Sequence, residues 1–172
     1  SDRAASNVFM ITLKGEQLTV EKIDQGKIGS PSSLTFYDET VFGIEKMGVF
    51  SVSLKGLEVK TSLIQASDLG AVKGLRSYLG NLYFLQSGSS AVFKSSALTD
   101  GEYSKPLPWL KEERDLSQAV SFSIAGSIYV LESNGRIFKF EAGKMAEFTV
   151  TGFDDAFSST SAIYTDSLSS YL

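Results

Sequence analysis

The chain has neither cysteine nor histidine. Without cysteine there are no disulfides, iron–sulfur ligands, thiolate zinc sites or thiol nucleophiles, although the compartment stays open because extracellular and cytosolic domains alike can do without them. Without histidine there is no Ser-His-Asp triad, no imidazole-ligated metal and no side chain that titrates near neutrality in an ordinary environment. Basic residues are in deficit: 16 Lys and Arg stand against 20 Asp and Glu, a net charge of −4. With no basic patch in view, nucleic acid is not an expected partner, since its affinity rests on neutralised phosphates. No apolar run approaches the ~18 residues needed to cross a bilayer. The opening SDRAASNVF also lacks a basic stretch followed by an apolar one, so this segment is not expected to insert into a membrane.

Proline is scarce, at 3 residues, whereas glycine reaches 15 and aromatics 12%. That balance suits many short strands joined by tight turns. A chain of 172 residues buries roughly 70% of its unfolded surface, enough for one cooperative domain spanning 1–172. Serine is the commonest residue, which fits polar turns and leans towards an extracytoplasmic location without identifying one.

What the sequence does contain is a repeat. VFMITLKG at Val8 to Gly15 returns as VFSVSLKG at Val49 to Gly56, an offset of 41. A period of about 40 to 45 residues built from short strands is the signature of a β-propeller blade, a four-stranded unit that needs neighbours to bury its faces. Two further series keep this spacing. Val41-Phe42-Gly43-Ile44, Leu82-Tyr83-Phe84-Leu85 and Ile128-Tyr129-Val130-Leu131 read as second strands. Val8-Phe9, Val49-Phe50, Val92-Phe93 and Ile137-Phe138 read as third strands.

First strands are expected at Ser33 to Tyr37, Leu75 to Leu79, Val120 to Ile124 and Ala162 to Thr165. Asn134-Gly135 is expected to form a two-residue type I′ hairpin, and Ser87 to Ser90 the corresponding turn of the preceding unit. The expected fold is therefore all-β, an antiparallel propeller with blade-like units at about 7–31, 32–73, 74–117, 118–160 and 161–172: half, three, and half. The halves would either join into a composite blade and close a four-bladed ring, be completed by a second chain, or mark a fragment of a larger ring.

The phrases NLYFLQSGSS, AVSFSIAGSIYVLESNGRIFKF and AIYTDSLSSYL resemble the blade cores of NHL and YncE-like repeat propellers. That resemblance implies ligand or protein binding. The chain departs from the NHL pattern at Gln86 and Glu132, where Asp is usual, and keeps Asn-x-Arg only as Asn134-Gly135-Arg136. SGSSAVFKSS and PLPWLKEERDLSQAVSFSI are similar to propeller segments accompanying bacterial PPM-type phosphatase-like domains, but no phosphatase residues are present.

Candidate chemistry is sparse. Glu112-Glu113 and Asp154-Asp155 are adjacent carboxylates in expected loops, where water solvates them. Thr99-Asp100-Gly101-Glu102 supplies too few oxygen ligands for calcium and reads as a turn. Asp68, Asn81 and Asp115 have the residue types of a metal-dependent propeller hydrolase of the lactonase kind, but their spacing does not match from blade to blade.

The most distinctive stretch is the expected connection Ser104 to Ser117, which holds two of the three prolines and the only tryptophan. Within this connecting loop, a short helical turn over part of Pro106 to Asp115 is the alternative. Trp109 is the candidate anchor for a ligand or partner, with Arg114 and Asp115 as polar contacts, and packing between blades is the competing role for Trp109. The resulting expectation is a noncatalytic binding scaffold for a protein, peptide or cell-envelope ligand, with no cofactor and no metal. A carbohydrate-binding propeller and a metal-dependent hydrolase are the alternatives.

Overall fold

A computed structural model describes residues 7–23, 27–86, 91–151 and 161–165, and the backbone of 170 and 171. Every sheet in it is antiparallel, with strands neighbouring one another in chain order. A first, two-stranded sheet comprises β1 (Phe9–Lys14) and β2 (Gln17–Lys22). Three four-stranded sheets follow. One is β3 (Ser33–Tyr37), β4 (Thr40–Glu45), β5 (Gly48–Ser53) and β6 (Val59–Gln65). The next is β7 (Val72–Tyr78), β8 (Asn81–Gln86), β9 (Val92–Ser95) and β10 (Leu107–Pro108). The third is β11 (Ala119–Ala125), β12 (Ser127–Glu132), β13 (Ile137–Glu141) and β14 (Lys144–Ala146), after which β15 (Tyr164–Thr165) pairs with β16 (Ser170–Tyr171). The described helices are a single turn, α1 (Ala66–Leu69), and a 3₁₀ turn at Thr99–Gly101.

This is a partial β-propeller, with the second- and third-strand series falling on β4, β8, β12 and on β1, β5, β9, β13. The cores lie between sheets rather than within them, because strand side chains alternate between faces. Leu82 and Phe84 of β8 join Phe42, Ile44 and Val49 of the preceding sheet. Tyr83 and Leu85, on the opposite face of β8, join Phe122, Ile128, Val130 and Phe138 of the following one. A third cluster joins Val8 and Ile23 to Phe50 and Val52.

Several expectations are corrected. Of the three alternatives for the half-blades, the composite blade is not formed among the described residues: β1–β2 and β15–β16 are separate sheets, and the array is open. Asn134-Gly135 is not a type I′ turn, which needs positive φ at both central residues. Only Gly135 is left-handed, at φ 85°. Gly135 N–H donates to Glu132 O and Glu132 N–H to Arg136 O, closing a three-residue loop with a glycine bulge. Asn134 reinforces it by accepting from Arg136 N–H, 2.9 Å. Positive φ at both central residues occurs instead at Asp38-Glu39, Leu79-Gly80 and Ala142-Gly143.

The stretch Ser104 to Ser117 is not all connection, because Leu107 and Pro108 form the outermost strand, paired with Lys94 and Phe93. No helical turn forms between Pro106 and Asp115. Ser87 to Ser90 and Asp154-Asp155 lie outside the described residues.

Candidate functional site

The residues selected from the sequence are placed apart. Trp109 follows the outermost strand, donating its backbone N–H to Val92 O at 2.8 Å. Its indole stands edge-on to Tyr83 with ring centroids 6.3 Å apart, partly buried against the core between the second and third four-stranded sheets. The chain then leans on the next sheet through Lys111 N–H to Gly143 O. Arg114 lays its guanidinium over Phe138, 4.4 Å from the ring centroid, and Arg136 lies 4.9 Å from that centroid. Asp115 is exposed and accepts from Ser117 N–H at 2.9 Å, which holds its carboxyl below the usual carboxylate range. Trp109 and Arg114 line different clefts.

The hydrolase residues are likewise dispersed. Asp68 pairs with Lys105 at 3.3 Å, Asn81 bonds Leu79 O and Ala97 N–H, and no cluster of three or more carboxylates forms among the described residues.

A different set of residues converges. The first strands of successive sheets, β3, β7, β11 and β15, border a groove of about 520 Å³ lined by Thr35, Phe36, Arg76, Ser123, Ile124 and Thr165 among others. The strands are joined to one another by hydroxyls. Ser33 Oγ accepts from Leu75 N–H at 3.1 Å and Thr35 Oγ1 from Ser77 N–H at 3.0 Å. Ser77 Oγ–H is committed to Phe36 O at 2.8 Å, so Thr35 is the donor in the 2.9 Å contact between the two hydroxyls. The same device recurs between β11 and the last sheet, where Ser121 Oγ accepts from Ile163 N–H and Ser123 Oγ from Thr165 N–H. Each of the four N–H to hydroxyl bonds spans 42 residues, the length of one repeat.

The middle seam differs. Opposite the second-strand aromatics Phe42, Tyr83 and Tyr129 stand Thr35, Arg76 and Ser123. Arg76 thus occupies the position that carries a hydroxyl in the other two sheets. Gly74, two residues earlier, makes room: a Cβ there would lie 3.2 Å from Phe122. Arg76 spreads over the Phe122 ring, 5.5 Å from its centroid, and donates from Nη1 to Leu75 O at 2.8 Å. Lys73 completes this seam through Ser117 O and Ala119 O, at 3.1 and 2.8 Å. Burial pushes the Arg76 pKa down, and no carboxylate pairs with it among the described residues.

Comparison with known proteins supports the fold. No family model matches the chain, and no curated protein matches it. Among solved structures it is similar to a chain in a nidogen/laminin complex, with a TM-score of 0.62, 13% identity and coverage of 92% of this chain and 60% of that one. Luciferin-regenerating enzyme gives a TM-score of 0.61 at 13% identity, covering 92% and 59%. The computationally designed Ika8 protein gives 0.52 at 12% identity, covering 85% and 46%. The chain spans about 60% of the length of the first of these. At such identities the likeness shows the β-propeller fold alone. It also corrects the expectation of a noncatalytic scaffold: an enzyme shares this architecture, so the missing histidine and cysteine remove particular mechanisms and not catalysis as a class.

Proposed function

We propose that the chain is a propeller-type binding domain that engages a protein or peptide along the groove between its first strands. The observation that carries this reading is the composition of the groove. Apolar surface from Leu34, Phe36 and Ile124 alternates with Arg76 and with seam hydroxyls on strands tied to their neighbours. Ligand sites are commonly concave and mostly apolar, with a few directed polar groups on a rigid frame. The likeness of NLYFLQSGSS, AVSFSIAGSIYVLESNGRIFKF and AIYTDSLSSYL to NHL and YncE-like blades belongs to this proposal. Trp109 is proposed as an outer contact because it lines a separate cleft with Lys94, Pro108 and Lys111. Arg114 and Asp115, placed on Phe138 and Ser117, are proposed to orient that segment.

The test is selection of binders from a displayed random peptide library, followed by mapping on the isotope-labelled chain. Selected peptides are expected to shift the amide signals of β3, β7, β11 and β15. Failure to enrich any binder, or binders that map only to the outer strands, contradicts the groove reading.

A further inference from the structure

We propose that the groove is a carboxylate-binding site, in which Arg76 and Ser123 together receive an acidic side chain of a peptide or protein partner. The inference rests on the binding-domain reading above and names the chemistry of the group that would sit there.

Two donors without protein acceptors line the same groove. Arg76 uses one N–H on Leu75 O, and its remaining guanidinium N–H groups meet no acceptor among the described residues. A guanidinium carries five such donors in a planar fork suited to carboxylate. Ser123, only 3% exposed, accepts twice from Thr165, through its N–H at 2.9 Å and its Oγ1–H at 2.8 Å. Its acceptor capacity is filled, and its own proton has no acceptor among the described residues. A buried hydroxyl donor left unmade costs free energy, as does a cation held partly out of water without a counter-ion. One ligand group satisfies both: an anion with two acceptor oxygens.

Neighbouring residues fix the approach. The Arg76 guanidinium lies against Phe122 on the β7 side of β11, whereas Ser123 faces β15 through Thr165, so the two donors flank β11 and share the groove that both line. A single cation matches a monoanion. A dianionic phosphate is less well served by one guanidinium in a protein of net charge −4. The flanking Leu34, Phe36 and Ile124 suit apolar residues on either side of the acid.

The probes are acetyl-Phe-Asp-Phe-amide, its Asn and phosphoserine counterparts, and inorganic phosphate, each titrated into the labelled full chain and followed by NMR. The Asp peptide is expected to shift the Arg76 Nε–H signal and the Ser123 and Thr165 amides saturably. The Asn peptide should bind at least tenfold more weakly, and inorganic phosphate should give no saturable shift. Arg76→Met should abolish the response and Arg76→Lys retain part of it, with thermal unfolding of both variants checked against the parent.

Equal binding of the Asp and Asn peptides by the unaltered chain overturns the proposal, whatever the variants do. Tighter binding of the phosphoserine peptide or of phosphate overturns the carboxylate assignment. An undiminished response in Arg76→Met overturns the role of Arg76. A library peptide that binds without moving Arg76 sinks this proposal and leaves the binding-domain reading standing, whereas the absence of any library binder sinks that reading itself.

Discussion

Tyr83 shows how much one side chain contributes to this architecture. It lies opposite Arg76 on β7, faces Trp109 edge-on and sits in the core between two sheets. Tyr83→Ala should cost about 3 to 5 kcal/mol, the usual loss for a large aromatic removed from a core; urea denaturation measures it. Burial also raises the pKa of the Tyr83 and Tyr103 phenols above 10, and Tyr103 donates its hydroxyl to Gly80 O at 3.2 Å. The native state therefore holds these protons more tightly than the unfolded chain. The associated stability is intact below the unfolded phenol value of about 10 and is lost as pH rises through the native values. The urea midpoint should fall more steeply above about pH 10 in the parent chain than in a Tyr83→Phe/Tyr103→Phe variant. Parallel curves would contradict that assignment.

At the scale of elements, the first strands are joined sideways by hydroxyls. Ser33→Ala with Thr35→Val keeps the side-chain volume nearly constant but leaves Leu75 N–H and Ser77 N–H without their acceptors. Each such loss costs about 1 to 3 kcal/mol when water cannot replace the partner, so a clear drop in urea midpoint is the expected result. The strands themselves were legible in the sequence because two aromatic-apolar series kept step, one over three repeats and the other over four. Ser33 to Tyr37 was located to the residue.

The outermost strand of the second four-stranded sheet was not legible. It is two residues long and contains Pro108, which a strand tolerates at its edge but which reads in sequence as a break. The candidate site was equally hidden. Ser33, Thr35, Ser121 and Ser123 do not stand out in a serine-rich chain, and Arg76 gains meaning only once the pairing with Tyr83 sets it in register with Thr35 and Ser123. Aligning first strands by the residue opposite each second-strand aromatic is the signal that would have found it. Trp109, chosen for its rarity, is held by packing that a composition-based reading cannot see.

At the scale of the whole molecule, repetition exposes a contrast. Phe50 and Val52 are fully buried, whereas their counterparts in the first copy, Phe9 and Ile11, are 41% and 65% exposed. With Leu13, Leu18 and Val20 they make an exposed apolar sheet face. Exposed patches of this kind favour association. The chain studied alone should self-associate with rising concentration in sedimentation, and Ile11→Lys with Val20→Glu should reduce it; unchanged behaviour would show that the face is not adhesive.

The central claim is that one repeat length is converted into hydrogen bonds between successive first strands, and that these bonds frame the groove. Amide hydrogen exchange on the labelled chain tests it most directly. Leu75, Ser77, Ile163 and Thr165 direct their N–H groups to hydroxyls of the preceding sheet and not to a neighbouring strand. The account predicts that these four amides exchange as slowly as those paired inside β4, β8 and β12. Exchange at the rate of open sheet edges at all four would mean that the seam, and the groove it frames, does not exist in solution.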